Sequence, residues 1–192
     1  MPSFEIIALA ASAGGLRALT DVLSALPRDF PVALVVVQHL DPRHRSLMAE
    51  ILGKRTSLVV KEAREGDTLE RGVALIAPPN RHLLVNPDRT VSLSQSELVH
   101  FVRPSADLLF ESTAAAYKER AIAVVLSGSG RDGAMGVKAI KKMGGTVIVQ
   151  DEKTSEFFGM PDAAQQTGIV DFILPLAEIA PALRTLLEGA AT

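Results

Sequence analysis

The chain contains no cysteine and no tryptophan, and aromatic residues make up only 4% of its 192 positions. Without cysteine there are no disulfides, no thiolate nucleophile and no zinc site built on sulfur, and a reducing cytoplasm is the expected location. With so few aromatic rings there is little on which the bases of a single-stranded nucleic acid could stack. A surplus of one charge is missing too. Lys and Arg number 20 against 22 Asp and Glu, a formal net charge of −2, so no global basic field draws nucleic acid or an anionic membrane. No run approaches the roughly 20 apolar residues that span a bilayer. The opening MPSFEIIALAAS has no basic residue ahead of its apolar stretch, so neither a leader nor membrane insertion is expected.

What is present is material for a core. Hydrophobic residues are 47% of the sequence, enough for one domain over residues 1–192. Short β-branched apolar runs recur at Phe4 to Ala10, Pro31 to Gln38, Val73 to Pro78, Ala121 to Ser127, Gly145 to Gln150 and Val170 to Leu174. Their near-continuous hydrophobicity reads as strands covered on both faces. Leu16, Leu19, Leu23 and Leu26 repeat at helical spacing, as do Leu108, Leu109, Thr113 and Ala116. Further helices are predicted at Gly133 to Met143, Pro161 to Gln166 and Leu176 to Glu188. Strand and helix in alternation imply an α/β fold: a doubly wound, mostly parallel sheet with helices on both faces, in three Rossmann-like layers. His82 to Leu93 differs, because two short runs flank the turn residues Asn86, Pro87 and Asp88. That segment predicts a small antiparallel hairpin at one edge.

In an open α/β sheet, ligands bind beyond the carboxyl ends of the strands. Ser12 follows the first run and precedes Gly14 and Gly15. Strand, sharp turn and helix make the setting of a nucleophile elbow, although alanine stands where G-x-S-x-G has its first glycine. The helix start behind Ser12 would offer free N–H groups to an oxyanion; a plainer reading makes Ser12 an N-cap. His39 ends the second run, and imidazole, which titrates near neutrality, suits a general base for a serine. A histidine there can equally be structural. His44, His82 and His100 directly follow no core strand and are expected at the surface or in loops. Asp132 lies in VVLSGSGRDGAMG after another apolar run, where a carboxylate could orient His39 or merely cap the next helix. Ser12, His39 and Asp132 meet at one edge if their three strands are parallel neighbours.

The same loop has a rival reading as a nucleotide-binding module. Gly128, Gly130 and Gly133 satisfy G-x-G-x-x-G between a strand and a helix, and Asp151 follows at about the 20-residue offset of a ribose-binding acid. Against it, Asp132 would bring negative charge to a helix N-terminus where phosphates must dock. The pattern also comes late in the chain, with little sequence left for a second half of such a fold.

Five stretches, AASAGG, VVVQHL, IAPPNRHLLV, RPSADLLFES and VLSGSGRDGAMGVKAIKKMGGTVIVQDEKTSEFFGMPDAA, resemble, in that order, the catalytic domain of the bacterial chemotaxis protein-glutamate methylesterases (CheB). The resemblance covers nearly the whole chain. It implies a serine hydrolase that needs no metal or cofactor. The implied substrates are γ-glutamyl methyl esters on the cytoplasmic helices of methyl-accepting chemotaxis receptors, with deamidation of selected glutamines alongside. Residue by residue, Ser12 matches the nucleophile, His39 the general base and Asp132 the carboxylate that orients it. The backbone N–H groups of Ala13 and Ser129 match oxyanion donors.

Three departures from the family pattern stand out. Many members have threonine where this chain has Ala13, and methionine where it has Ser129; backbone donors survive both changes. Well-studied members also carry an N-terminal receiver domain whose phosphorylation relieves inhibition, whereas this chain starts at the first catalytic-domain strand. Control by a receiver domain or another protein in trans, constitutive activity, or a longer parent protein would each account for that. Arg17, Arg43, Arg45, Arg81 and Arg103 are candidates to meet acidic receptor helices, or are simply solvated. Hydrolysis of a non-receptor ester is the remaining alternative for the same chemistry.

Overall fold

Strands this apolar must be covered on both faces, and the computed structural model, which describes residues 4–41, 43 and 45–189, shows how. In chain order the elements are β1 (Ile6–Ala11), α1 (Gly15–Ser24), β2 (Ala33–Gln38), α2 (Met48–Gly53), β3 (Val59–Glu62), β4 (Val73–Ile76), β5 (His82–Val85) and β6 (Val91–Ser94). They continue with α3 (Ala106–Tyr117), β7 (Ala121–Val125), α4 (Ala134–Lys142), β8 (Thr146–Gln150), α5 (Gly159–Gln165), β9 (Phe172–Leu174) and α6 (Leu176–Gly189). Seven strands form one sheet in the order β3-β4-β2-β1-β7-β8-β9, and every neighbouring pair is parallel. The sheet therefore grows outward from β1 in both directions, which puts a topological switch point at the carboxyl end of β1.

Side-chain alternation along β1 sorts the two cores. Ile6, Ala8 and Ala10 pack with Leu109 and Phe110 of α3 and Val137 and Ile140 of α4. Ile7, Leu9 and Ala11 point the other way, toward Leu19 and Leu23 of α1 and Ile179 and Leu183 of α6. The predicted hairpin is β5 with β6, antiparallel. Leu83, Val85 and Val91 join the α3-side core, and the Val91 N–H donates to Asp67 O at 2.9 Å.

All six predicted strands are present: five are shortened at one end, and the first starts two residues later and ends one residue later than its apolar run. Two elements escaped the sequence reading. Strand β3 is a half-wet edge in which Lys61 and Glu62 are exposed, so it lacks the apolar run; charge on an edge also discourages pairing with another chain. Helix α2 has only six residues, less than two turns, too short to show a helical period.

Helices α3 and α4 meet closely because Gly136 has no side chain. A Cβ there would lie 2.6 Å from Phe110 Cβ and 3.0 Å from Asp107 Cα, inside van der Waals contact with a neighbouring helix. Gly136→Ala is expected to lower the free energy of unfolding by about 1–3 kcal/mol. The measurement is a lower urea midpoint with an unchanged slope.

Candidate active site

Three strands that are neighbours in the sheet, β2, β1 and β7, deliver His39, Ser12 and the Asp132 loop to one edge. Ala11 and Gln38 are register partners, so Ser12 and His39 are the next residues on adjacent chains, and the His39 N–H donates to Ala11 O at 3.1 Å. Ser12 is half-buried. The N-cap of α1 is Gly14, at φ 73° with no side-chain cap bond, so Ser12 is not the cap. Its hydroxyl makes no hydrogen bond among the described residues. The Ser12 N–H donates to Ser127 O at 3.0 Å, which ties the turn to the end of β7.

The glycine loop runs against this turn. A Cβ on Gly128 would fall 2.9 Å from Ser12 Cβ and 2.4 Å from Met160 Sδ, so only glycine lets the loop pass. Gly133 sits at φ 101° as the N-cap of α4, a conformation that costs glycine little. Between them Asp132 is 2% exposed. Its Oδ2 accepts from His39 Nε2 at 2.8 Å and from the Ala106 N–H at 2.6 Å. Its Oδ1 accepts from Ser105 Oγ at 2.9 Å and the Asp107 N–H at 3.0 Å. Four donors fill the carboxylate. Burial alone would push the Asp132 carboxyl up, but the His39 bond and the two backbone N–H groups outweigh it and hold it below the ordinary carboxylate value.

By sequence position, the alternative to orienting His39 is that Asp132 caps α4. The structure corrects this: Asp132 serves the first turn of α3. The α4 terminus is served by Asp107 of α3, whose Oδ1 accepts from the Gly133 N–H at 3.0 Å and the Gly136 N–H at 2.7 Å. The two carboxylates are exchanged between the two helix starts. Burial pushes Asp107 up more than the Gly136 N–H pulls it down, and the nearby Asp132 charge adds to the rise. This arrangement also argues against the nucleotide reading, because the N–H groups a pyrophosphate would use are occupied. Asp151 is engaged locally, accepting from the Thr154 N–H at 3.0 Å.

With Nε2 given to Asp132, the His39 ring keeps Nδ1 without a partner among the described residues. The N–H groups of Ala13 and Ser129 likewise donate to nothing among the described residues. Ser12 borders a cavity of about 530 Å³ with Arg17, Gln38 and Arg55. His39 borders another of about 150 Å³ beside Asn80 and Phe101, and Leu40 lines both. Phe101, 94% exposed, stands at the tip of a tight turn there.

Several expectations sort differently. His82 is not at the surface: it is fully buried, its Nδ1 accepting from the Ser105 N–H at 3.1 Å and its Nε2 facing Glu97 O at 2.9 Å. It therefore holds the cap of α3 that in turn holds Asp132. His100 is exposed but reaches Asp107 Oδ2 at 3.1 Å. His44 lies outside the described residues. Of the five arginines, Arg17 lines the Ser12 cavity, and Arg43 pairs with Asp41. Arg45 borders a separate cavity, and Arg81 has no side-chain partner among the described residues. Arg103 is bonded to Asn80 and to the Gln95 and Ser96 carbonyls. Gln38, Ser105, Asp107 and Arg55 were not foreseen; RPSAD was visible as a motif, but nothing in it assigned roles to Ser105 and Asp107.

Fold and edge place the chain among α/β proteins that carry their chemistry at the switch point of a parallel sheet. The sequence profile of the family described as CheB methylesterase matches residues 7–183, and the chain belongs to that family. A protein-glutamate methylesterase/protein-glutamine glutaminase of Moorella thermoacetica is 41% identical over 98% of this chain, which spans 46% of that protein. A putative one of Leptospira interrogans is 41% identical, with 93% of this chain and 92% of that protein covered. The chain thus spans about half the length of several curated relatives it matches. The crystal structure of the Thermotoga maritima CheB methylesterase catalytic domain superposes with a TM-score of 0.92 at 37% identity, covering 96% of this chain and all of that one. Among the described residues, no helix is long and apolar enough to cross a membrane.

A depressed carboxyl stabilises the fold at pH above its unfolded value. The Asp132 contribution is full above the ordinary 3.8 and is lost as pH falls through its lower folded value. Urea unfolding of wild type should therefore lose stability below about pH 4 more steeply than Asp132→Asn; parallel curves would contradict the assignment.

Proposed function

We propose that this chain is the catalytic part of a protein-glutamate methylesterase, hydrolysing γ-glutamyl methyl esters on chemotaxis receptors and deamidating glutamine by the same route. The observation that carries the reading is the 2.8 Å bond between His39 Nε2 and buried Asp132, with Ser12 on the adjacent strand end. Ser12 Oγ attacks the ester carbonyl while His39 Nδ1 takes its proton. Asp132 fixes the ring and stabilises the imidazolium. The negative oxygen of the tetrahedral species is held by the N–H groups of Ala13 and Ser129. Methanol, or ammonia from a glutamine, leaves with the proton from His39. Water, deprotonated by His39, then cleaves the acyl-enzyme to free glutamate and restored Ser12. The route uses no metal or cofactor.

The substrate is a side chain on a helical receptor surface in the cytoplasm, and Arg17 and Arg55 beside Ser12 suit its glutamate-rich flanks. A receiver domain, on the same polypeptide or in trans, is the proposed source of control. Methanol release from methylated receptor should fall at least about a thousandfold in Ser12→Ala. Undiminished release would overturn the proposal.

A further inference from the structure

Gln38, the last residue of β2, is 5% exposed and its side chain turns inward to the nucleophile. Its Nε2 donates to Ser12 O at 2.7 Å and to His39 O at 3.1 Å. Both neighbours of Nε2 are acceptors, so the amide can face only one way. Its Oε1 is buried with no hydrogen-bond partner, a condition that ordinarily costs stability. The amide occupies space that only glycine leaves: a Cβ on Gly15 would fall 1.9 Å from Gln38 Oε1.

The consequence follows from the planarity of the peptide. Ser12 C=O and Ala13 N–H belong to one trans peptide unit and point in opposite directions. Whatever fixes the carbonyl also aims the N–H. Gln38 Nε2 and the Gly15 N–H, at 2.8 Å, both hold Ser12 O, leaving the Ala13 N–H directed the other way with no partner among the described residues. Donation to the carbonyl also polarises the unit and strengthens its N–H as a donor.

We infer that Gln38 is a positioning residue that aims the Ala13 N–H at the oxyanion and couples that peptide to His39. The inference rests on the hydrolase reading above. Gln38 touches no reacting atom. Its contribution lies in the tetrahedral species, where the oxyanion forms, and little in ground-state binding.

The test compares wild type with Gln38→Met, similar in length without the donor, and with Gly15→Ala, which displaces the amide and leaves Gln38 in the sequence. Each should lower kcat by about tenfold to a hundredfold with KM within about twofold. Affinity for a boronic acid, which mimics the tetrahedral oxyanion, should weaken by a similar factor. Unchanged kcat and boronate affinity in folded Gln38→Met, or a loss confined to KM, would overturn the role while leaving the hydrolase intact. If wild type hydrolyses no ester, the hydrolase reading falls instead. Amide exchange then decides whether Gln38 holds the turn. Ser12 and His39 N–H exchange should quicken at least about tenfold in Gln38→Met while Leu9 in mid-strand is unchanged. Equal exchange would overturn the positioning as well.

Discussion

The buried Asp132 carboxylate is the interaction on which the rest of the site depends. A charge taken out of water needs partners on nearly every lone pair, and Asp132 finds them in two places: His39 after β2, and the start of α3, where the Ser105 cap hydroxyl and the first two N–H groups donate. Asp107, just inside α3, returns the same service to α4. Each helix start, with its unpaired N–H groups and positive dipole end, is completed by a carboxylate from the other segment. The orientation of the His39 ring is therefore tied to the docking of two helices. That docking is why Gly136 lies under Phe110 and why buried His82, remote in sequence, matters through Ser105.

Much of the fold was legible because the six apolar runs are long enough to mark buried strands. Their placement after strand ends also singled out Ser12, His39 and Asp132, since an open parallel sheet collects such residues at one edge. What stayed hidden was of two kinds. Strand β3 and helix α2 carry weak signals for their size, a charged edge and fewer than two turns. The supporting shell, Gln38, His82, Ser105 and Asp107, consists of ordinary polar residues whose meaning lies in contacts up to 29 positions away in sequence. Local pattern cannot report which helix start a carboxylate will serve: sequence position offers Asp132 to α4, and the fold gives it to His39 and α3.

The glycine loop shows how one spacing can meet two physical demands. A phosphate cradle needs free N–H groups at the start of α4; here Asp107 holds two of them. What the glycines provide instead is close approach, with Gly128 against Ser12 and Gly133 turning the chain after Asp132. Small residues on the β1 face beneath, Ala8 and Ala10, let α3 sit near the strand that carries the serine. Packing, capping and proposed chemistry converge on the same few residues.

The most direct measurement of the account is the rate at which a fluorophosphonate modifies Ser12 at neutral pH, followed by mass spectrometry of the peptide that contains it. Wild type should be labelled at Ser12, and Asp132→Asn, folded but unable to hold the His39 ring in the working tautomer, should be labelled about a hundredfold or more slowly. Equal rates in the two proteins, or an adduct on a different residue, would contradict it.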